Sequence, residues 1–300
     1  LAQSNEHHGS HGTGSVREPE PAHVEEHAKI SVVNFLNPQI TNDPWRELKR
    51  FTNARIALGR VGSSLPTKEV LDFGLAHAMA RDAVHLPLNV KALEAGIRSL
   101  GFSTIQGHSQ AANRHTYLLR PDLGRRLNDE SNARLQTFKP IAGIDFMLVI
   151  GDGLSSLAVQ RHAVPLLSEL QKCIPELWNV GPMVIVEQAR VALADEVGAI
   201  MGARMVAVLI GERPGLSSPD SLGIYLTYAP KLDCTDADRN CISNVRPEGL
   251  QYAAAANKLI WLATAAMERK SSGVSLKDES DVGILNDIAQ NNICPLKLSD

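Results

Sequence analysis

Aromatic side chains make up only 4% of the 300 residues, which leaves little material for a platform that stacks bases. A basic excess is missing too: 30 Lys and Arg stand against 33 Asp and Glu, a net charge of −3. A general nucleic-acid binder needs the opposite balance. No apolar run approaches the roughly 18 residues that a membrane span requires. The first residues lack the charged-then-apolar order of a secretion signal. Cysteine is sparse as well. Cys173, Cys234, Cys241 and Cys294 form no Cys-x-x-Cys pair, and a chain this long has no need of disulfide staples. An intracellular protein with reduced thiols is expected. Two nucleotide signatures are also absent. There is no Gly-x-x-x-x-Gly-Lys-Ser/Thr, which disfavours a P-loop hydrolase. Gly151 and Gly153 begin a Gly-x-Gly-x-x-Gly pattern, but Ser156 holds its third place. Asp152 would set a carboxylate where a pyrophosphate must approach backbone amides, so a dinucleotide oxidoreductase is disfavoured.

What is present reads as globular. Hydrophobic residues are 44% of the chain and charged ones 21%, enough for a sizeable core, and the length suggests about two domains. Residues 1–42 read as a disordered leader, polar at first and holding His7, His8, His11, His23 and His27 at irregular spacing. From Asp43 the pattern becomes helical. Asp43 before Pro44 marks a helix start, and Trp45, Leu48, Phe51 and Ile56 recur at helical spacing. Thr67 can cap a second helix with Val70, Leu71, Leu75, Ala78 and Met79 on its apolar face. Residues 43–115 are therefore expected to be a helical segment. Thr116 to Leu119 reads as a short strand.

Strand and helix then alternate. Phe146–Ile150, Met183–Val186, Met205–Ile210 and Ile224–Tyr228 read as strands, the first apolar throughout as a strand buried on both faces should be. Between them lie helical patterns: Leu154 to Ala158, a second piece starting at Pro165, and Val191 to Met201 ending at Gly202. The expected fold class is α/β, a Rossmann-like open parallel sheet with a helical N-terminal segment. Gln251 to Lys270 is a strong helix, closed by Gly273. Residues 116–274 form the α/β domain on this reading, and residues 275–300 a C-terminal extension.

In an open parallel sheet, ligands bind at the carboxyl ends of the strands. Three loops qualify: Gly151 to Ser155, Glu187 to Val191, and Gly211-Glu212-Arg213-Pro214-Gly215. Pro214-Gly215 suits a type II turn with Gly215 at positive φ. Glu212 repels phosphate but accepts charge-assisted hydrogen bonds, about 1.5–3 kcal/mol each, so a ligand rich in primary amides is indicated. Arg190 suits phosphate or carbonyl oxygens and Val191 an apolar face. A fourth segment, Asp238 to Asn244, places Cys241 as a small wall residue. No histidine or acyl-transfer signature makes it a nucleophile.

Ala54-Arg55 with Gly59-Arg60, YLLRPDLGRRL (Tyr117 to Leu127), Asp152-Gly153-Leu154-Ser155, GERPGL (Gly211 to Leu216) and DRNCISN (Asp238 to Asn244) occur in order. With these motifs the chain resembles the small subunit of ethanolamine ammonia-lyase, over about Asp43 to Gly273. The resemblance implies a non-catalytic-barrel subunit of a hetero-oligomeric lyase. The large subunit is then the partner, and residues 43–115 the segment that contacts it. Adenosylcobalamin is the implied cofactor, with Val191, Glu212 and Cys241 touching it and Arg190 beside them. Ethanolamine is deaminated to acetaldehyde and ammonia by radical chemistry. No catalytic residue or metal ligand is expected on this chain. The Asp-x-His-x-x-Gly run that replaces the cofactor's own base is absent, Asp82 and His85 being wrongly spaced, so base-on binding is implied. A cytoplasmic setting inside a protein-shelled bacterial microcompartment also goes with the resemblance. A stand-alone cobalamin-binding module is the alternative.

Overall fold

The computed structural model of the protein describes residues 40–280. Most of the leader with its histidines, the tail beyond 280 and Cys294 lie outside the described residues. A two-residue ladder joins β1 (Ile40–Thr41) to β2 (Arg60–Val61). Between them Pro44–Phe51 forms a 3-10 helix, where Asp43 Oδ1 accepts the Trp45 N–H at 2.8 Å. Helix α1 (Thr67–His85) follows, with Pro66 rather than Thr67 at its N-cap. Then come α2 (Val90–Ser99), β3 (Thr104–His108) and α3 (Arg114–Leu119). The expected strand at Thr116 to Leu119 is thus a helix. Asn113 Oδ1 accepts the Thr116 N–H at 2.9 Å, an N-cap that fixes the turn.

The remainder alternates as α4 (Asp129–Thr137), β4 (Ile144–Gly151), α5 (Ser156–Cys173), β5 (Met183–Glu187), α6 (Leu193–Met201), β6 (Ala203–Gly211), β7 (Leu222–Tyr228), β8 (Arg239–Val245) and α7 (Tyr252–Arg269). One six-stranded sheet runs β3-β5-β4-β6-β7-β8. The first four strands are parallel, while β7 and β8 are antiparallel. The fold is α/β with a mostly parallel sheet. No helix separates β6 from β7, so the chain returns directly and must pair antiparallel. The edge strand β3 comes from the stretch read as helical.

Side chains alternate across the sheet between two cores. Phe146, Leu148, Ile150, Met205, Ala207 and Leu209 face α2, α5 and α7. Met147, Val149, Val206, Val208 and Ile210 face α4 and α6. At about 1.5–3 kcal/mol for each large apolar side chain fully buried, these two layers dominate the stability. They also explain why Pro165 does not begin a new helix. It sits inside an unbroken α5, whose Val159, Ala163, Leu166, Leu167 and Leu170 are fully buried. That burial outweighs the ~3 kcal/mol cost of a mid-helix proline. Helix α7 ends at Lys270, which adopts φ 55° itself. Gly273 instead opens a short 3-10 turn so close to the Ala237 carbonyl that a Cβ would collide with it. Among the described residues, no helix is long and apolar enough to cross a membrane, and Cys173, Cys234 and Cys241 are free thiols.

Helix α1 stands apart. Only Ala83 of its 19 residues is buried. Leu71 is 67% exposed and Leu75 63%, with Val70, Phe73 and Met79 also exposed. The apolar side chains read from the sequence are on this helix, and nothing among the described residues covers them.

Candidate functional site

The loops after β4, β5 and β6 meet at the carboxyl end of the parallel strands. Asp152 ties the first two together. Its Oδ1 accepts the Ala189 N–H at 2.9 Å and its Oδ2 the Gln188 N–H at 3.0 Å. These bonds hold Gln188 at φ 55°, a conformation that costs a side chain energy elsewhere. Burial pushes the Asp152 pKa up, while Arg114 and the two amides pull against it. The carboxylate therefore faces inward as a fastener, not outward toward a ligand. Gly153 and Gly211 serve close packing of the first loop on the tip of β6. A Cβ on Gly153 would strike the Gly211 carbonyl, and one on Gly211 the Ser155 carbonyl.

Behind these loops lies a cluster that the sequence reading did not identify. Tyr117 is fully buried and donates its hydroxyl to the Ala189 carbonyl at 3.1 Å. Burial raises its pKa far above the ordinary phenol value, so it stays a donor. Two guanidinium groups lie over its ring, Arg190 at 4.2 Å and Arg114 at 4.7 Å from the centroid. Arg114 is the more thoroughly bound. Its Nε donates to the Val84 carbonyl at 2.6 Å, and its Nη1 to the Gly153 carbonyl at 2.8 Å while lying 3.5 Å from Asp152. Arg190 makes one side-chain hydrogen bond, from Nη2 to the Tyr117 carbonyl at 3.2 Å, and no ion pair among the described residues. Arg190 Nε and Arg114 Nη2 are buried donors without a partner among the described residues.

The loop from Gly211 to Gly215 differs from the type II turn expected. Gly215 does not adopt positive φ. The turn closes two residues later, where the Gly215 N–H reaches the Ser218 carbonyl at 3.0 Å. Glu212 is half-buried and anchored through Oε2, which accepts the Ser221 hydroxyl and the Asn244 N–H, the latter at 3.2 Å. Oε1 carries no hydrogen bond among the described residues and stays open to a further donor. Ser155 Oγ secures the far side of the loop by donating to the Pro219 carbonyl at 2.8 Å.

Arg190, Val191 and Glu212 line one cavity of about 450 Å³, with Leu154, Ile210 and Tyr225 as apolar wall. A second hollow of about 480 Å³ shares Arg190, Val191 and Tyr225 and extends over Arg125, Asp236 and Arg239. Cys241 lines neither. It is exposed on β8, paired across the ladder with Tyr225, and its Sγ lies 3.3 Å from Ser243 Oγ. Arg239 is buried against Asp195 at 2.5 Å and reaches Asp236 at 2.8 Å, so it braces the hollow rather than offering a free charge. Among the described residues no group of three or more His, Cys, Asp or Glu side chains is arranged to hold a metal ion.

This constellation accompanies a close likeness to known proteins. The family model described as ethanolamine ammonia-lyase light chain matches residues 42–277. The ethanolamine ammonia-lyase small subunit of Pseudomonas syringae pv. tomato is 56% identical over 255 residues, covering 83% of this chain and 89% of that one. The protein of the same name from Azotobacter vinelandii is 57% identical over 249 residues, 82% of this chain and 92% of that one. That of Ralstonia nicotianae is 56% identical over 250 residues, again 82% and 92%. The matched span takes in all the described strands and helices from Pro44 onward, and with them every residue of the two hollows. The chain belongs to the ethanolamine ammonia-lyase small-subunit family.

Proposed function

We propose that this chain binds adenosylcobalamin against the large subunit of an ethanolamine ammonia-lyase and contributes no catalytic residue of its own. The observation that carries the reading is the pairing, in one cavity, of an open carboxylate acceptor with an unpaired guanidinium beside apolar walls. Glu212 Oε1 suits a primary amide, Arg190 suits an electron-rich oxygen, and Val191, Leu154 and Tyr225 suit an apolar surface. Cobalamin presents all three, being rimmed by amide side chains and carrying one phosphodiester. Cys241 is the outer contact of the same surface, one strand beyond Tyr225.

When bound, the cofactor supplies the radical chemistry that converts ethanolamine to acetaldehyde and ammonia. This chain's part is to hold and orient it base-on and to keep water from one side. The substrate belongs to the large subunit. Helix α1 is the docking face on this reading, since Leu71, Leu75, Val70 and Met79 lie exposed on it with no cover among the described residues. A stand-alone cobalamin module has no use for such a face. The family resemblance further suggests work inside a bacterial microcompartment.

Co-expression with the large subunit tests the proposal. The two chains should co-purify, and an absorbance spectrum after incubation with the cofactor should show bound corrinoid. Failure of the chains to associate, or an associated pair that retains no corrinoid, refutes it.

A further inference from the structure

Resting on that reading, we infer that the second hollow, between the start of α6 and the β7–β8 ladder, takes the phosphodiester of the cofactor, with Arg190 and Arg125 as its cationic partners. The two hollows share Arg190, Val191 and Tyr225, so one large ligand can occupy both. Their chemistry differs. The first holds the Glu212 carboxylate, which accepts from amides and repels an anion. The second has one lining carboxylate, Asp236, already bonded to Arg239 at 2.8 Å.

The cations of the second hollow are less committed. Arg239 is fully engaged by Asp195, Asp236 and the Cys234 carbonyl. Arg125 is exposed and makes no ion pair or side-chain hydrogen bond among the described residues. Arg190 is half-buried, held against Tyr117, with a single side-chain hydrogen bond and a buried Nε that has no acceptor. A half-buried guanidinium that is stacked, immobilised and unpaired is unfavourable in an isolated chain. A ligand oxyanion in the hollow supplies a counter-charge at the Nη end of the guanidinium, while Nε stays shut off from it. The ring of Tyr117 and the Gly124 carbonyl, which accepts the Arg190 backbone N–H at 2.8 Å, fix where the guanidinium stands. Gly124 lies next to Arg125, so one short segment places both cations. Val191 and the N-cap residue Ala192 set the start of the nine-residue helix α6 at the edge of this hollow. The order of groups is then amide rim over Glu212, apolar contact at Val191 and Tyr225, anion at Arg190 and Arg125.

The test compares three corrinoids on the assembled two-chain complex by absorbance titration: cobalamin, cobinamide phosphate and cobinamide, the last without any phosphate. The parent complex should bind cobinamide phosphate roughly ten- to a hundredfold tighter than cobinamide, as expected for a charge-assisted contact. Arg190→Gln should reduce that preference to within about threefold while changing cobinamide affinity little. Arg125→Gln, at an exposed position that does not brace the fold, should reduce it by a smaller factor. A phosphate preference equal in parent and both variants overturns the assignment and leaves the cobalamin reading standing. A complex that binds none of the three corrinoids fails the cobalamin reading and this assignment with it.

Discussion

Replacing Glu212 by Gln keeps the side chain's shape but removes its charge and turns one acceptor into a donor, and the structure dictates how the new amide must turn. Both anchoring hydrogen bonds fall on Oε2, from the Ser221 hydroxyl and from the Asn244 N–H. The Asn244 N–H cannot accept, so the Gln carbonyl must take the Oε2 place. The amide nitrogen then occupies the Oε1 place and presents N–H groups to the cavity. A ligand amide that donated to the carboxylate now meets a donor. The charge-assisted bond, about 1.5–3 kcal/mol, is lost outright, which corresponds to roughly a 10- to 150-fold weaker Kd. Glu212→Ala should lose a similar factor in affinity, but it also strands Ser221 and Asn244, so its Tm should fall while that of Glu212→Gln stays near the parent. The assay is corrinoid titration of the two-chain complex beside thermal melts of the same samples. Parent-like affinity in Glu212→Gln would refute the reasoning, because it would mean that no ligand donor reaches Oε1.

Three further perturbations test other parts of the structure. Arg239→Ala leaves Asp195 buried with no cation, both side chains being 3% exposed or less, and should cost about 3–5 kcal/mol by denaturant unfolding; adding Asp195→Ala should cost less than the sum. Burial holds the His162 pKa below its ordinary value, with Asp220 opposing, so the folded chain resists a proton that the unfolded chain takes up at about pH 6.5. That contribution is present above this pH and is lost as the pH falls toward the folded value; the Tm advantage of the parent over His162→Gln should shrink between pH 8 and pH 5.5, and a constant gap argues against it. Leu71→Asp and Leu75→Asp, at exposed positions of α1, should change the stability of the isolated chain by less than about 0.5 kcal/mol. By sedimentation, the same changes should weaken association with the large subunit at least tenfold.

The central strands were legible because burial on both faces leaves a continuous apolar run, as in Phe146–Ile150. The edge strands were not. Only Ile105 is buried in β3, and β8 buries just Arg239, Ile242 and Val245. With so few inward positions no period-2 pattern develops. The antiparallel turn of β7 had a visible signal that went unused, the lack of a helix between Ile210 and Ile224. The strand-end loops and their Arg190, Val191 and Glu212 could be picked from position and residue type, and these three do line one cavity. Arg114 and Tyr117 could not. Their partners are backbone carbonyls at Val84, Gly153 and Ala189, between 30 and 72 residues away, and a carbonyl leaves no mark in a sequence. Gly215 misled for a related reason: Pro-Gly permits a type II turn, but the contact with Ser218 selects another.

Those unseen contacts also join the proposed docking face to the proposed cofactor floor. The last turn of α1 is gripped at the Val84 carbonyl by Arg114 and at the Leu86 carbonyl by the Ser156 hydroxyl. Arg114 in turn holds Gly153, and Ser156 opens α5 directly after Ser155, which secures the Glu212 loop through Pro219. A large subunit seated on α1 therefore abuts the same loops that frame the cavity. The unpaired Arg190 and the open Glu212 acceptor then make sense together. On the proposed reading, a ligand enclosed from the other side satisfies both. The apolar helix and the polar cavity are then, on that proposal, two halves of one interface.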